Sequence, residues 1–297
     1  MNQQQFLGVL NIHKPAGITS RKVVDRVVEL VKPAKAGHAG TLDPLATGVL
    51  LVCLGSATRL IPLLQQQNKE YRAQFQLGRR SNTDDVTGKI TEVTAAQTVT
   101  LEQIEALLPR FVGRIEQVPP QFSAVHVDGK RAYELARRGQ HVNLKPRIVT
   151  VHRIDLIDFE YPEITLEVEC GSGTYIRSIG RDLGECLGCG AVMSQLVRTR
   201  IGSFSLKTST ELDRLDQDSL RQVLLPATTI VEHLPQLQCE PAELDDIRCG
   251  RPIEYHEESC CEDGKLVAVL APDGQLACVA RFRKPDRLLH PKHVFLG

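Results

Sequence analysis

The sequence of 297 residues contains no long hydrophobic run. No apolar segment approaches the roughly 18 to 20 residues that a transmembrane helix needs. The first ten residues, MNQQQFLGVL, lack the basic segment followed by an apolar stretch that is typical of a secretion signal. Hydrophobic residues make up 42% and charged residues 24% of the chain, enough for a sizeable core. We therefore expect a cytoplasmic protein without membrane contact.

The cysteines do not form the pattern of a disulfide framework. They number nine, an odd count, and are scattered along the chain, so we expect reduced thiols. The element Cys186-x-x-Cys189 raises the alternative of a zinc protein that also uses Cys239 and Cys249 or the pair Cys260 and Cys261. Zinc fingers and ribbons usually show two paired ligand elements. Only one is present here, within a helix-like stretch, and this disfavours a metal site.

The sequence also lacks a net charge, with 36 basic and 36 acidic residues, which at first argues against a nucleic-acid partner. The distribution is uneven, however. Residues 128–147 carry six Lys or Arg against two acids, and the last 17 residues carry five against one. Residues 240–263 hold nine acids against two arginines. Each basic run is either a solvated face or a binding face for an anionic partner.

Helix and strand patterns follow one another without a regular βαβ repeat, which indicates an α+β fold. Residues 19–31 combine a Thr or Ser cap with valines at helical spacing. A second helix start is predicted at Thr100, which stands in capping-box spacing with Gln103. Residues 164–170 alternate apolar and polar side chains, as a strand with one buried face does.

The C-terminal region predicts a separate module. Two apolar runs flank Pro272-Asp273-Gly274, which favours a β-hairpin. The segment from about Asp213 to Pro241 is polar and contains several prolines, and we place a domain boundary there. The predicted organisation is a large α+β domain of residues 1–235 and a small β-rich module of residues 240–297.

One glycine-rich segment, GHAGTLDPLATGVL at residues 37–50, contains a lone carboxylate, Asp43. The segment runs into VLLVCLG, a predicted buried strand. Aspartate before proline often starts a turn, so a turn residue is one interpretation. The glycines around it, Gly37, Gly40 and Gly48, leave room for a ligand to come close, which favours a binding or catalytic role.

Several segments together resemble one enzyme family. GHAGTLDPLATGVLLV looks like the catalytic motif of the TruB family of bacterial tRNA pseudouridine synthases, which isomerise uridine-55 in the T loop of transfer RNA. Five more segments resemble the family in the same order over about 200 residues: NIHKPAGITS, KEYRAQFQLG, PPQFSAVHVDGKRAYELARRG, GTYIRSIGRDLG and SQLVRTRIGSF. The resemblance implies a mixed-sheet catalytic domain, an RNA-gripping insertion at about residues 119–147 and a PUA-like C-terminal RNA-binding module.

The resemblance also implies roles for single residues. Asp43 would be the essential aspartate, attacking C1′ of the target ribose or taking the C2′ proton, and Arg177 would pair with it. Tyr71 would stack on the extruded base and later take the C5 proton, and His38 would fill the gap left by the flipped nucleotide. The other implied substrate-binding residues are Tyr175 and Leu196 in the uracil pocket, and Lys130, Arg131, Arg137 and Arg138 in the insertion.

This chemistry implies neither cofactor nor metal, because the uracil is released, turned and recaptured within one pocket. The implied partner is the T arm of transfer RNA. No protein partner is implied, so we expect a monomer.

The sequence departs from the family pattern at three positions. His13 and Asn82 stand where aspartate is usual, although Asp85 aligns with a second carboxylate, and Phe122 stands where tyrosine is frequent. None of the three is expected to touch the proposed chemistry. Two alternatives stay open: a non-catalytic RNA-binding or ribosome-assembly protein on the same scaffold, and an enzyme that acts on other uridines of structured RNA.

Overall fold

The computed structural model describes residues 6–93, 99–123, 125–127, 129–140, 142–256 and 262–296; for residues 126, 127, 130, 131 and 137 it describes the backbone alone. Cys260 and Cys261 of the alternative zinc site lie outside the described residues. Within the described part, no helix combines the length and the apolar character needed to cross a membrane.

The longest helices are the first and the fifth, with 12 and 11 residues. In chain order the α-helices of the described residues are α1 (Ser20–Val31), α2 (Ile61–Gln66), α3 (Leu101–Leu107), α4 (Ala132–Arg137), α5 (Ile176–Cys186), α6 (Gln217–Val223), α7 (Thr228–Val231) and α8 (Leu244–Arg248). Short 3-10 helices span Gly55–Leu60, Leu108–Phe111, Leu206–Thr208, Leu212–Arg214 and Pro241–Glu243.

The strands are unequal in length, and the longer ones build two sheets. In chain order they are β1 (Gly8–Lys14), β2 (Ala36–His38), β3 (Thr47–Leu54), β4 (Lys69–Leu77), β5 (Arg79–Ser81), β6 (Ile90–Glu92), β7 (Gly113–Gln117), β8 (His126–Val127), β9 (Lys130–Arg131), β10 (Arg147–Glu160), β11 (Glu163–Cys170), β12 (Ala191–Ile201), β13 (Phe204–Ser205), β14 (Thr210–Glu211), β15 (Leu225–Pro226), β16 (Gln236–Gln238), β17 (Ile253–Glu254), β18 (Leu266–Leu270), β19 (Leu276–Arg283) and β20 (Leu288–Val294).

The large sheet is mixed. Its strand order is β14-β1-β3-β12-β4-β11-β10-β7, and β2, β13 and β15 join it by pairing with β3, β12 and β1. Most neighbouring strands are antiparallel, but β3 runs parallel to β12 and β1 runs parallel to β14. The smaller sheet has the order β16-β18-β19-β20-β17. These sheets and helices confirm the predicted α+β class, with a mixed sheet and a β-rich C-terminal module.

Both predicted helix starts are confirmed. Thr19 Oγ1 accepts a hydrogen bond from the backbone N of Lys22 (3.2 Å) at the start of α1, which satisfies one of the free amides there. The capping box of Thr100 and Gln103 is complete at the start of α3. The buried face of α1 consists of the residues at helical spacing, Ser20, Val23, Val24, Val27 and Val31.

Strand β3 is the buried strand that the sequence predicts, and it leads away from Asp43. Its side chains alternate between two apolar clusters, as the two-residue period of a strand requires. Val49, Leu51 and Cys53 belong to one cluster, and the residues between them belong to another. Both faces of the strand are therefore covered, and its entrance is held in place.

Helix α5 lies very close to β4. A Cβ on Gly180 would be 2.2 Å from the ring of Phe75, so only glycine permits this approach. Ile176, Ile179 and Leu183 are buried in the same cluster as Phe75. The close packing brings the first turn of α5, with Arg177, next to the loop before β3.

The predicted C-terminal hairpin is confirmed. Strands β18 and β19 pair antiparallel, and Gly274 N donates to Ala271 O (2.9 Å) in the turn between them. The module packs on the large sheet, because one buried cluster contains Val9 and Leu51 together with Ala268 and Phe295. All strands of the smaller sheet lie after residue 235, but this shared core leaves the boundary between residues 235 and 240 a prediction.

Candidate active site

The loop that carries Asp43 is fixed by hydrogen bonds from other elements. Ser20 Oγ accepts from Leu42 N (2.8 Å) and donates to Leu42 O (3.1 Å). Ala46 N donates to Asp43 O (3.0 Å) and closes a turn at the aspartate. The turn interpretation of Asp43 is therefore correct, and it is compatible with a chemical role because the backbone makes the turn and leaves the carboxylate available.

A buried lysine supports the same loop. Lys14, at the end of β1, has no exposed surface. Its Nζ donates to Pro15 O and Ile18 O, both at 2.8 Å, and lies 3.5 Å from Pro44 O. Burial lowers the pKa of Lys14 to about 8, while the charge of Asp43 acts in the opposite direction. Lys14 thereby ties the Lys-Pro segment to the residue that follows Asp43.

Arg177 pairs with Asp43, as the resemblance implies. Arg177 Nε lies 3.1 Å from Asp43 Oδ2; the arginine side chain is 6% exposed and the aspartate side chain 36%. Arg177 Nη1 donates to Thr83 O (2.9 Å) and Nη2 donates to Phe122 O (3.0 Å). Because each nitrogen of the guanidinium has its own partner, the fork is held in one orientation relative to the carboxylate.

A second carboxylate lies beside Arg177. Asp85 Oδ2 is 3.5 Å from Arg177 Nη1. Its Oδ1 accepts hydrogen bonds from Thr83 Oγ1 (2.7 Å), Thr87 N (2.9 Å) and Thr87 Oγ1 (2.6 Å). Asp85 is buried. One guanidinium therefore faces two carboxylates.

This arrangement raises the pKa of Asp43. Burial is the largest cause, Arg177 opposes it, Asp85 raises the pKa further and Lys14 opposes the shift. Because Arg177 is shared with Asp85, its charge does not offset burial completely. Asp43 can therefore act as a nucleophile or base when ionised, and it takes up a proton more readily than a free aspartate does.

A cavity of about 330 Å³ opens beside Asp43. Its lining combines Tyr71 from β4, Leu196 from β12, and Tyr175 and Arg177 from the start of α5. The structure thus brings the three predicted catalytic residues and both predicted uracil-pocket residues around one space. The volume is within the range of about 300 to 1,000 Å³ that small-molecule pockets occupy.

Tyr71 forms part of this cavity with very little exposed surface. Its side chain is buried, and burial raises the pKa of Tyr71, while the charge of Arg198 and a hydrogen bond to it act in the opposite direction. The phenol is therefore protonated at neutral pH in the free protein.

A second cavity, of about 550 Å³, shares Asp43 and Arg177 with the first. Its lining includes Arg21 from α1, His38 from β2 and Tyr133 from α4 in the insertion. The ion pair therefore stands where two cavities meet, one walled by the sheet and one walled in part by the insertion.

His38 is half-buried beside the second cavity. Burial lowers the pKa of His38, and the charges of Arg198 and Arg21 lower it further, so the imidazole is neutral at pH 7. Its Nδ1 is buried and has no hydrogen-bond partner within the part of the chain that the structure describes. A neutral, flat side chain with an unused nitrogen is suited to stacking against a base.

The insertion has its own small core. Tyr175 packs against this core at the cavity wall, and the buried members of the core are Val125, Ala132, Val142 and Leu144. Arg138 is exposed. The side chains of Lys130, Arg131 and Arg137 lie outside the described residues.

No zinc site is present in the described ranges, where no group of three or more His, Cys, Asp or Glu side chains could hold a metal ion. Cys186 and Cys249 are exposed, whereas Cys189 and Cys239 are buried.

Of the three departures from the family pattern, one touches the site, contrary to expectation. Phe122 accepts from Arg177 through its main-chain carbonyl, a contact that tyrosine would make equally well. His13 pairs with Glu211 near the surface (2.7 Å). Asn82 Oδ1 accepts from Lys89 N (2.8 Å), away from the ion pair.

Three basic residues at the site are not indicated by the sequence patterns. Lys14 lies under the loop of Asp43, and both Lys69 and Arg198 line the first cavity. Burial lowers the pKa of Lys69 to about 8. Each of the three lies in a segment that resembles the family, and this resemblance is the sequence feature that could have identified them. Strand alternation could not, because it does not show whether the side of the sheet that a charged residue faces is covered by other elements.

Comparison with known proteins identifies the family. Residues 28–176 match the family model described as TruB family pseudouridylate synthase (N-terminal domain), and residues 177–232 match the model described as tRNA pseudouridylate synthase B C-terminal domain. The chain is 39% identical to tRNA pseudouridine synthase B of Microcystis aeruginosa, over 97% of this chain and 99% of that protein. It is 48% identical to tRNA pseudouridine synthase B of Gloeothece citriformis, over 72% of this chain and 70% of that protein.

The fold is similar to that of a solved chain from an H/ACA RNP bound to a substrate RNA containing 2′-deoxyuridine. The TM-score is 0.77 at 26% sequence identity, and the similarity covers 99% of this chain and 86% of that chain.

Proposed function

The chain belongs to the TruB family of pseudouridylate synthases and is an isomerase, and we propose that it converts uridine-55 in the T loop of transfer RNA to pseudouridine. Two observations support this substrate. The relatives from Microcystis aeruginosa and Gloeothece citriformis are named tRNA pseudouridine synthase B, and six segments of the sequence resemble that family in order.

The reaction requires the uridine to leave its stack. C1′ and C5 of a stacked uridine are out of reach, so the enzyme must extrude the base and read its exposed edge. The first cavity has the size for one base, and the second provides space for the adjoining backbone. His38, neutral and with an unused nitrogen, is placed to fill the position that the extruded base leaves.

Asp43 acts at the ribose. It either attacks C1′ or takes the C2′ proton, while the C1′–N1 bond breaks and its electron pair leaves with the uracil. The uracil then turns within the cavity, and C5 forms the new bond to C1′. In the first route this bond displaces the Asp43 carboxylate from C1′, and in the second route C2′ regains its proton from Asp43. C5 loses its proton and N1 gains one, so the reaction is an isomerisation with no net change in atoms or electrons.

The other site residues position the reacting groups. Arg177 aims the Asp43 carboxylate, and Tyr71 stacks on the uracil. To take the C5 proton during the last step, the Tyr71 phenol must first lose its own proton, which the positive charge of Arg198 favours. Tyr175 and Leu196 form walls of the cavity that holds the base.

RNA phosphates bind the basic surfaces. The insertion presents exposed Arg138, and Lys130, Arg131 and Arg137 of the same segment are the other basic residues that we assign to phosphate binding. The C-terminal module adds exposed Arg281 and Arg283 on β19. Phosphate contacts of this kind supply affinity and orientation without reading sequence. The active form is a monomer with transfer RNA as its only partner.

The observation that carries the proposal is the ion pair of Asp43 and Arg177 at the junction of two cavities. The test is incubation of the protein with a T-arm RNA, followed by mapping of pseudouridine at single-nucleotide resolution. Pseudouridine at position 55, lost in the Asp43→Asn variant, is the expected result. RNA binding without product would instead support the non-catalytic alternative, and product at other uridines of structured RNA would change the target.

A further inference from the structure

Arg198 is a buried cation without a carboxylate partner. Its residue is 1% exposed, and no aspartate or glutamate of the described ranges lies within ion-pair distance of it. The guanidinium makes hydrogen bonds to neutral groups only: Nε donates to Val49 O (2.7 Å) and Nη2 donates to Gly40 O (3.2 Å). Burying a charge in this way costs several kcal/mol unless other interactions offset it, so packing alone does not explain an arginine here.

The position of Arg198 connects the two halves of the site. Gly40 and Val49 lie on either side of Asp43, so one side chain holds both ends of the loop that carries the aspartate. Arg198 also stands opposite Tyr71 in the register of β12 and β4, and its positive charge acts on the Tyr71 phenol. The close approach depends on Gly48, because a Cβ there would be 2.2 Å from Arg198 O.

A second buried cation lies near Arg198. Lys69 lines the same cavity, and its Nζ donates to the main-chain carbonyls of Gln65 and Gln67. The described residues offer Lys69 no carboxylate within ion-pair distance either. The lining of this cavity therefore combines the carboxylate of Asp43, which pairs with Arg177, with two cations that have no carboxylate partner among the described residues, Arg198 and Lys69.

This polarity matches the charges that form when a glycosidic bond breaks. The bonding electrons leave with the base, so C1′ becomes electron-poor and the uracil becomes an anion delocalised over its ring and carbonyl oxygens. A carboxylate and fixed cations in the lining of one cavity favour both developing charges.

On the basis of the function proposed above, we propose that Arg198 is a positioning residue for the isomerisation: it fixes the Asp43 loop, and its charge, opposite Tyr71 in the sheet, stabilises the uracil anion. Arg198 lies at the cavity lining but is almost completely covered by protein, so it acts through its charge. Its effect therefore belongs to the step in which the C1′–N1 bond breaks, and RNA affinity should depend on it little.

The test compares two substrates in three proteins. Arg198→Met removes the charge and keeps a long side chain, and Arg200→Met is the matched control, because Arg200 lies on the same strand but is paired with Glu70 (2.7 Å) and partly exposed. The substrates are T-arm RNAs with uridine or 5-fluorouridine at the target, and the measurement is the single-turnover rate of C1′–N1 cleavage at saturating RNA. Fluorine withdraws electrons and makes the uracil a better leaving group.

Arg198→Met should lower the rate on uridine by about 100- to 1,000-fold, with little change in RNA affinity, and the loss on 5-fluorouridine should be smaller by about tenfold. Arg200→Met should match the wild-type protein on both substrates. An equal loss on the two substrates would mean that Arg198 has only a structural role and would overturn the proposal, as would an unimpaired rate.

Arg198→Lys is a second variant for the case in which circular dichroism shows that Arg198→Met does not fold. Lysine retains the charge, so the rate on uridine should fall by no more than about tenfold, and a loss as large as that expected for methionine would overturn the electrostatic role. A wild-type protein that cleaves neither substrate would instead refute the proposed function, and the inference with it. An active wild-type protein with a fully active Arg198→Met variant would refute the inference alone.

Discussion

Arg177 lies with its Nε 3.1 Å from the Oδ2 of Asp43 and its Nη1 3.5 Å from the Oδ2 of Asp85. One guanidinium is thus shared between an accessible carboxylate and a buried one. Its Nη1 and Nη2 also donate to the main-chain carbonyls of Thr83 and Phe122, so the position of the arginine does not depend on Asp43 alone. Removing either partner of the ion pair should therefore affect the chemistry more than the fold.

We expect Asp43→Asn to abolish product formation, with a loss of roughly four orders of magnitude or more. Asparagine keeps the size of the side chain but supplies neither a nucleophile nor a base. RNA affinity and the circular-dichroism spectrum should stay close to those of the wild-type protein. Asp25→Asn, on the exposed face of α1, is the control and should be fully active; turnover of Asp43→Asn at an appreciable rate would exclude the assigned role.

Arg177→Lys should slow conversion by about 100-fold or more with a modest change in RNA affinity. Lysine keeps the charge but cannot contact Asp43, Thr83 O and Phe122 O at once, because it lacks the planar fork. Single-turnover rates and binding measured on the same RNA separate the two effects. Arg181→Lys, one turn further along α5, is the matched control and should lose much less; equal losses would point to a general disturbance of the helix.

How much of this site can be predicted from the sequence depends on the range of the interactions. The start of α1, the buried strand β3 and the C-terminal hairpin follow from the spacing of neighbouring residues, and the structure confirms them. The ion pair of Asp43 and Arg177 follows from the resemblance to a family, since no local pattern connects two distant segments.

The buried cations lie beyond such predictions. The contact of Arg198 with Tyr71 depends on the register of β12 against β4, and this register shifts between Arg198 and Arg200. Alternation along a strand indicates which side chains share a face, but burial of that face is decided by the loop and helix that cover it. Gly48 and Gly180 allow neighbouring elements to pack closely against these strands. That glycine is required at these two positions is evident only from the packed structure.

Asp85→Asn should shift the pH dependence of the reaction. Asp43 acts in its ionised form, so the rate should rise with pH as Asp43 loses its proton. The negative charge of Asp85 raises the pKa of Asp43, and its removal should therefore move the acid limb to lower pH. The measurement is kcat/KM between about pH 4 and pH 8; an acid limb that stays in place or moves to higher pH would show that Asp85 does not act through Asp43.

The basic insertion should contribute to the salt dependence of RNA binding. Arg138, Lys145 and Arg147 are exposed, and a solvated face without RNA contacts would leave this dependence unchanged. Each phosphate contact adds a slope of about −0.7 for single strands, and about −0.9 for duplex, to the plot of log affinity against log salt. Replacing Arg138, Lys145 and Arg147 together with alanine should therefore reduce the slope of this plot by about two units and weaken RNA binding most at low salt.

The matched control for the insertion is a triple alanine variant of Lys207, Arg214 and Arg221. These side chains are also exposed, but they lie near β14 and β15, at the other end of the large sheet from β7 and β10. The control should keep the wild-type slope, which separates local phosphate contacts from the effect of lowering the net charge by three. Conversion at saturating RNA should change little in either variant, since none of the six groups lines the cavities at Asp43. Equal slopes for the two triple variants would mean that the insertion is a solvated face and does not grip the RNA.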